Sequence, residues 1–420
     1  MRSIKQVSNL AVPPSDSQRM PWGDGEAPRV LVIGPDLPHL GAAGSILLHR
    51  LFQGWPPESL LAVGPAVPAS VLKHPCRFLA RQPLLHRFEN TRAARLLRLL
   101  RALRLVPAAR IALPDFQPDV VVHILSSLAC AEMACSYSVR SGVPLILILH
   151  DDPEDFNRSY PWTNLLIRQQ VQRIYRHAAV RLCVSPEMEG TLRERHGVAG
   201  VVMYPNRSEA ITPRHPQVSG FLREPGVLTL GFAGGMSYGY GDRLLELVPV
   251  FRAASVKLRV YGGNLPVTGC SDVLLNQGRI SSPEVLWERV QSECDAVLLP
   301  YCLPHHGHQQ LFRTHFPSKL PEYLALGMPV VVTGPSYATG VKWGLSHPEA
   351  CVVVADQGGD MLAKVLTELR LDGELRMRLS TNSVVAGNHD FDPVAIRSLF
   401  HEHLRDSARG FQARFKGCQP

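Results

Sequence analysis

Ser318, Lys319 and Glu322 are the residues whose types and spacing point first to chemistry. A hydroxyl and an ammonium at a helix start suit an anion, because unpaired N–H groups and the helix dipole both face the ligand. A carboxylate about one turn further in can accept two hydroxyl hydrogen bonds, as a ribose needs. The surrounding stretch, FRTHFPSKLPEYLALGMPVVV from Phe312 to Val332, supplies the positioning element. Pro317 and Ser318 open a helix, Leu320, Tyr323, Leu324 and Leu326 give it an apolar face, and Gly327 stops it. Pro329 then leads into a buried strand from Val330 to Val332. On spacing alone the simpler reading is a capped helix carrying a surface charge, so the elements around it decide.

With 420 residues, 45% hydrophobic and 19% charged, the chain is long enough for two domains, each with its own core. No apolar run reaches the ~18 residues a spanning helix needs. Residues 1–27 are polar, rich in Pro and Ser, and lack an apolar signal-peptide core, which reads as a disordered lead. Nine cysteines are scattered without a metal-ligand spacing, fitting reduced thiols in a cytoplasm. The net charge of +8 suits an anionic ligand or an anionic membrane face. No helix-turn-helix, zinc finger or aromatic RNA-binding strand is present, so nucleic acid is the weaker reading.

The first ordered element is the apolar run 29–33, followed by Gly34 and, beyond it, Gly41 and Gly44 at the start of a helical pattern. Strand, Gly-rich loop and helix open a doubly wound α/β domain. These glycines let backbone approach a ligand closely or simply make the turn; their spacing is not the GxGxxG dinucleotide fingerprint. Between Arg87 and Arg110 the sequence turns basic. On a helical wheel Leu96, Leu99, Leu100 and Leu103 share one side, while Arg95, Arg98, Arg101 and Arg104 spread over the other. The segment 92–104 is either a helix packing its leucines on its own domain or one lying at an anionic membrane surface. The strand 145–149 ends in His150 and Asp151, which read as functional because ligands gather outside the carboxyl ends of such strands. Glu154 and Asp155 read as solvated loop.

Val201 to Tyr204 reads as a strand, and the Pro/Gly-rich stretch 211–226 as a linker between a domain at 28–210 and one at 227–392, with a terminal helix and tail over 393–420. In the second domain a strand over 227–232 ends at Gly234 and Gly235, and a helix is expected over 242–251. The loop 301–314 carries His305, His306 and His308 and runs into the opening motif. With no Cys or paired carboxylate beside them, these histidines are assigned no metal. After Val332 an irregular stretch of about 20 residues is expected. Two doubly wound domains with Gly-rich loops at strand ends place a ligand in the cleft between them. A P-loop, a GxSxG elbow and HExxH are all absent, which excludes P-loop nucleotidases, α/β-hydrolases and zincins.

The co-linear segments VPLILILHDD, RLCVSPEMEGTLRERHG, YPN, LTLGFAGG and, above all, FPSKLPEYLALGMPVV resemble a GT-B glycosyltransferase close to glycosyltransferase family 4. The resemblance runs over most of residues 28–406. It implies two Rossmann-like domains facing each other across a cleft, a nucleotide-sugar donor held mainly by the C-terminal domain, and a glycan or lipid-linked acceptor held by the N-terminal one. Glu322 would bind the ribose, and Ser318 and Lys319 the diphosphate, with Arg313 a further cation. Gly234 and Gly235 would line the nucleotide side, with Gly41, Gly44 and Thr314 completing the donor set. His150 would lie near the transferred sugar, with Asp151 beside it. Cations at the leaving diphosphate would make a metal unnecessary, and no cofactor beyond the nucleotide sugar is implied. Family membership also implies retention at the anomeric carbon and a role in polysaccharide or glycoconjugate synthesis.

The sequence departs from that pattern twice. The acid often found eight positions before the ribose Glu is Thr314 here, and the Arg and Lys that often follow the first strand of the second domain are represented only by Arg243. A GT-B-like binding or scaffold protein without turnover, or a sugar-nucleotide epimerase of the same fold, therefore stays open beside the transferase.

Overall fold

The computed structural model describes residues 27–39, 43–66, 76–81, 83, 100, 110–113, 115–152, 161–213, 221–263, 265, 269–280, 282–356 and 358–416. The expected lead (apart from residue 27), Gly41 and all of the basic segment 92–104 except residue 100 lie outside them. The chain divides into two compact units, residues 1–203 with 394–420, and residues 204–393.

The first unit is built on a parallel seven-stranded sheet in the order β3-β2-β1-β4-β5-β6-β7. Its strands are β1 (Val30–Ile33), β2 (Leu60–Gly64), β3 (Arg77–Ala80), β4 (Val120–Ile124), β5 (Leu145–Leu149), β6 (Val180–Cys183) and β7 (Val201–Val202). β1, β2, β4 and β5 are buried at every position, as strands rich in Val, Leu and Ile require when helices cover both faces. Each such side chain contributes about 1.5–3 kcal/mol by leaving water.

The helices of this unit are α1 (Ala43–Leu51), α2 (Leu128–Ser141), α3 (Pro161–His177) and α4 (Pro186–His196). Helix ends follow local chemistry. Ser127 and Ser185 accept hydrogen bonds from the N–H groups of Cys130 (3.3 Å) and Met188 (3.0 Å), and Gly142 and Gly197 close α2 and α4 at φ +72° and +71°.

The second unit repeats the scheme with a parallel six-stranded sheet ordered β10-β9-β8-β11-β12-β13. These strands are β8 (Leu228–Gly234), β9 (Val256–Gly262), β10 (Leu274–Gly278), β11 (Ala296–Pro300), β12 (Val330–Gly334) and β13 (Cys351–Ala355). The helices are α5 (Tyr240–Glu246), α6 (Val248–Ala253), α7 (Pro283–Glu293), α8 (Gln309–Thr314), α9 (Lys319–Ala325), α10 (Thr339–Ser346), α11 (Gly359–Leu371) and α12 (Gly373–Asp390); α13 (Pro393–Lys416) ends the chain. In both sheets the strand order reverses beside the first strand, at β1/β4 and at β8/β11, which is where this class of sheet gathers ligands.

Several expectations are corrected. The single helix expected over 242–251 is two, α5 and α6, separated at Leu247, because Pro249 has no N–H with which to continue the ladder. The stretch after Val332 holds α10. The strand expected to reach Tyr204 stops at Val202. The division falls at Met203/Tyr204 rather than over 211–226, and residues from Val394 rejoin the first unit. That return is explained by packing: Phe400 sits edge-on to Phe52 at 5.3 Å, and His401 Nε2 lies 2.8 Å from the Leu51 carbonyl.

Candidate active site

In the second unit Gly234, Gly235 and Lys319 come together at the carboxyl end of β8. Gly234 takes φ +148°, a conformation that L side chains rarely adopt, and a Cβ there would overlap the Lys319 side chain. Lys319, the first residue of α9, thereby runs directly past the strand end. Its ammonium stands 4.5 Å from the Tyr240 ring centroid and 5.4 Å from that of Phe232. Among the described residues it forms no ion pair, and burial brings its pKa down to about 8. Half-buried, and set among the described residues against aromatic faces, this cation is under-compensated, and an anion would restore what burial removes.

Neighbouring contacts fix this arrangement. The Tyr323 hydroxyl, on α9, accepts a hydrogen bond from the Ala233 N–H at 2.9 Å and so ties helix to strand end. From the far side α12 supports α9: Ser380 donates to the Gly327 carbonyl at 2.5 Å, Ser383 to the Met328 carbonyl at 3.3 Å, and Gly387 leaves room for Leu324. Gly327, at φ +63°, ends α9 where the sequence places its stop.

The other donor-side candidates divide. Glu322 is 5% exposed, and its Oε2 accepts a hydrogen bond from the Ser208 N–H at 3.4 Å. Gly235 has open space where a Cβ would stand, so the backbone there is approachable. Ser318 is exposed and its side chain caps nothing, and α9 has only seven residues. The expected anion site therefore rests on the Lys319 charge and not on a capped helix start. Arg313 is exposed and lies over the Tyr337 ring at 4.4 Å. Thr314 is fully buried. Arg243 is paired with Glu246 at 3.2 Å, so it is committed within its own helix.

In the first unit, Gly44 at the start of α1 allows Asp36 to come close, and Ser126 after β4 donates to Asp36 Oδ2 at 2.5 Å. Asp36 thus joins the two strands of the switch point, a role the sequence reading missed although the residue follows Gly34-Pro35 directly. His150 is 8% exposed immediately after β5, whereas Asp151 is half-buried. Among the described residues of that loop the deeply buried acid is Asp152, 1% exposed and held by Arg195 Nη1 at 3.0 Å.

Residues 63–206 match the family model of Glycosyltransferase Family 4. HepE from Anabaena, solved in complex with UDP-glucose, is similar at 16% identity and a TM-score of 0.60, with 90% of this chain and 99% of that one covered. Sucrose-phosphate synthase from Thermosynechococcus elongatus is similar at 14% identity and a TM-score of 0.61, covering 90% and 98%. AviGT4, a glycosyltransferase involved in avilamycin A biosynthesis, gives 13% identity and 0.50, covering 91% and 98%. The fold is GT-B. The resemblance to family 4 glycosyltransferases drawn from the motifs holds. No curated protein matches the chain in sequence. Among the described residues no helix is long and apolar enough to cross a membrane.

Proposed function

We propose that this protein is a glycosyltransferase that moves a sugar from a nucleoside-diphosphate donor to a glycan or lipid-linked acceptor. The observation that carries the reading is Lys319: a desolvated ammonium without a carboxylate partner among the described residues, at the switch point of the second sheet. In the reaction the bond between the anomeric carbon and the diphosphate breaks as an acceptor hydroxyl bonds to that carbon and gives up its proton. Negative charge grows on the leaving diphosphate, and a fixed ammonium in a dry site stabilises it without a metal. Glu322 takes the ribose hydroxyls, and the open backbone at Gly235 admits the nucleotide.

UDP is the first base to test, since HepE is solved with UDP and UDP-glucose. His150 and Asp151 serve the transferred sugar and the acceptor, and transfer proceeds with retention, as in the resembled family. The donor itself is the only small molecule needed, with no cofactor. We propose a cytoplasmic reaction, a reading that the eight described cysteines, all free, support. The segment 92–104 offers an anionic membrane face a contact close to a lipid-linked glycan in polysaccharide or glycoconjugate synthesis.

Purified protein incubated with UDP-, GDP- and ADP-sugars should release the nucleoside diphosphate from one class. Absence of release from all of them, with every nucleotide also failing to bind, would remove the reading. A donor-binding protein without turnover is the second reading, favoured by the commitment of Arg243 to Glu246, which leaves the diphosphate to Lys319. Tight nucleotide binding without release or transfer would establish that one instead.

A further inference from the structure

The loop after β11 carries a cluster that the donor reading does not use. His305 Nε2 and His306 Nε2 approach the same oxygen of Glu246, Oε1, at 2.9 and 3.2 Å. The second oxygen, Oε2, is taken by Arg243 at 3.2 Å, which turns Oε1 towards the histidines. All three ligand-type atoms lie within 4.8 Å of one another, and the two imidazole centroids are 4.1 Å apart. Spacing alone could not reveal the group, because Glu246 comes from α5 and precedes the first of the histidines by 59 positions.

The pair of acceptors facing His306 is the telling detail. Its Nδ1 faces the Leu303 carbonyl at 3.3 Å while its Nε2 faces a carboxylate oxygen. A neutral imidazole has one N–H, so it can donate to only one of these two acceptors. If Nδ1 donates to the carbonyl, as metal-bound histidines commonly do, Nε2 is left with its lone pair towards the carboxylate, a gap that suits a cation. Tetrahedral Zn²⁺ with bonds of about 2.0–2.1 Å places its ligands roughly 3.3–3.5 Å apart, so the two nitrogen–oxygen separations of 2.9 and 3.2 Å need to open by only a few tenths of an ångström.

We propose that Glu246, His305 and His306 form a site for a divalent transition metal of the Zn²⁺ class, completed by water. Two imidazoles and one carboxylate select such ions over Mg²⁺ and Ca²⁺, which prefer all-oxygen shells. Pro304–His306 form a short 3-10 turn that presents the two rings, so the ion would fasten the loop after β11 to the end of α5. Its role is to hold that loop; no step of sugar transfer runs through it.

The test is calorimetric titration of ZnCl₂ into the full chain after removal of metals by chelation, repeated with CoCl₂ to read the visible bands of tetrahedral Co²⁺. One equivalent should bind the native chain. Affinity should fall at least about tenfold in Glu246→Gln and in His305→Ala, and further in the His305→Ala/His306→Ala pair. Zn²⁺ should also raise the melting temperature of the native chain and leave that of the paired variant unchanged. Circular dichroism and the metal-free melting temperature show whether each variant is folded. Equal affinity in the native chain and a folded paired variant, or no binding to the native chain, would overturn the site and leave a hydrogen-bonded histidine pair.

Discussion

The Lys319 side chain occupies the volume that a Cβ at Gly234 would fill. A strand end and the first residue of a helix 85 positions later are therefore interdependent: the lysine reaches the switch point only because glycine stands there. Gly234→Ala should push the ammonium off the Tyr240 face and strain a backbone held at φ +148°. Nucleotide affinity should fall by about tenfold or more, and calorimetric titration with UDP checks it. Unchanged affinity would mean that Lys319 is not placed by this contact.

The proposed function gives Glu322 the ribose and not the phosphates, and the two roles separate with two ligands. Glu322→Gln should weaken UDP binding by roughly tenfold and leave inorganic pyrophosphate binding unchanged, since only the first ligand carries the diol. An equal loss for both ligands would make Glu322 a structural acid, held by its contact with the Ser208 N–H.

Tyr323 holds the end of β8 through the Ala233 N–H at 2.9 Å. Tyr323→Phe removes the acceptor and leaves a buried donor, at a cost of about 1–3 kcal/mol. For a unit of this size that corresponds to a melting temperature lower by about 2–4 °C per kcal/mol. Nucleotide affinity should also fall, because the strand end carries Gly234. Thermal unfolding with and without UDP measures both effects.

Acid should destabilise the first unit. Burial is the main cause that lowers the pKa of His401 and of His196 from 6.5 to about 4, with nearby arginines adding to it. The unfolded chain then binds more protons than the folded one below pH 6.5, so stability is full above pH 6.5 and falls as the pH drops towards 4. The urea midpoint should decline over that interval as the free energy of unfolding falls by a few kcal/mol in total. His401→Gln, which keeps a donor for the Leu51 carbonyl, should flatten the decline. An identical pH dependence in that variant would assign the acid sensitivity elsewhere.

Much of the fold was legible because local chemistry and tertiary structure agree. The apolar runs read at 29–33, 145–149 and 330–332 are the parallel strands Val30–Ile33, Leu145–Leu149 and Val330–Gly334. Helix α12 was not legible: GELRMRLSTNSVVAGNHD lacks a clean apolar stripe, and its serines face carbonyls at the end of α9 and just beyond it. In the site, Lys319 and Glu322 could be nominated from one motif. What the sequence could not supply were pairings across long separations: Gly234 with Lys319, Asp36 with Ser126, Asp152 with Arg195, and Glu246 with two histidines. Asp152 also shows how neighbours exchange roles, because the acid beside the nominated Asp151 is the one that burial and Arg195 lock in place.

Lys319→Met is the most direct test of the account, since it keeps an apolar stem against Tyr240 and Phe232 and removes only the charge. The measurement is the rate of UDP release from UDP-glucose, or from whichever donor the native protein turns over, read beside the melting temperature. The account predicts a loss of about 100-fold or more in rate with a melting temperature unchanged or raised, because a desolvated cation is gone while the charge developing on the diphosphate is left uncompensated. Undiminished release by a folded Lys319→Met protein would contradict it.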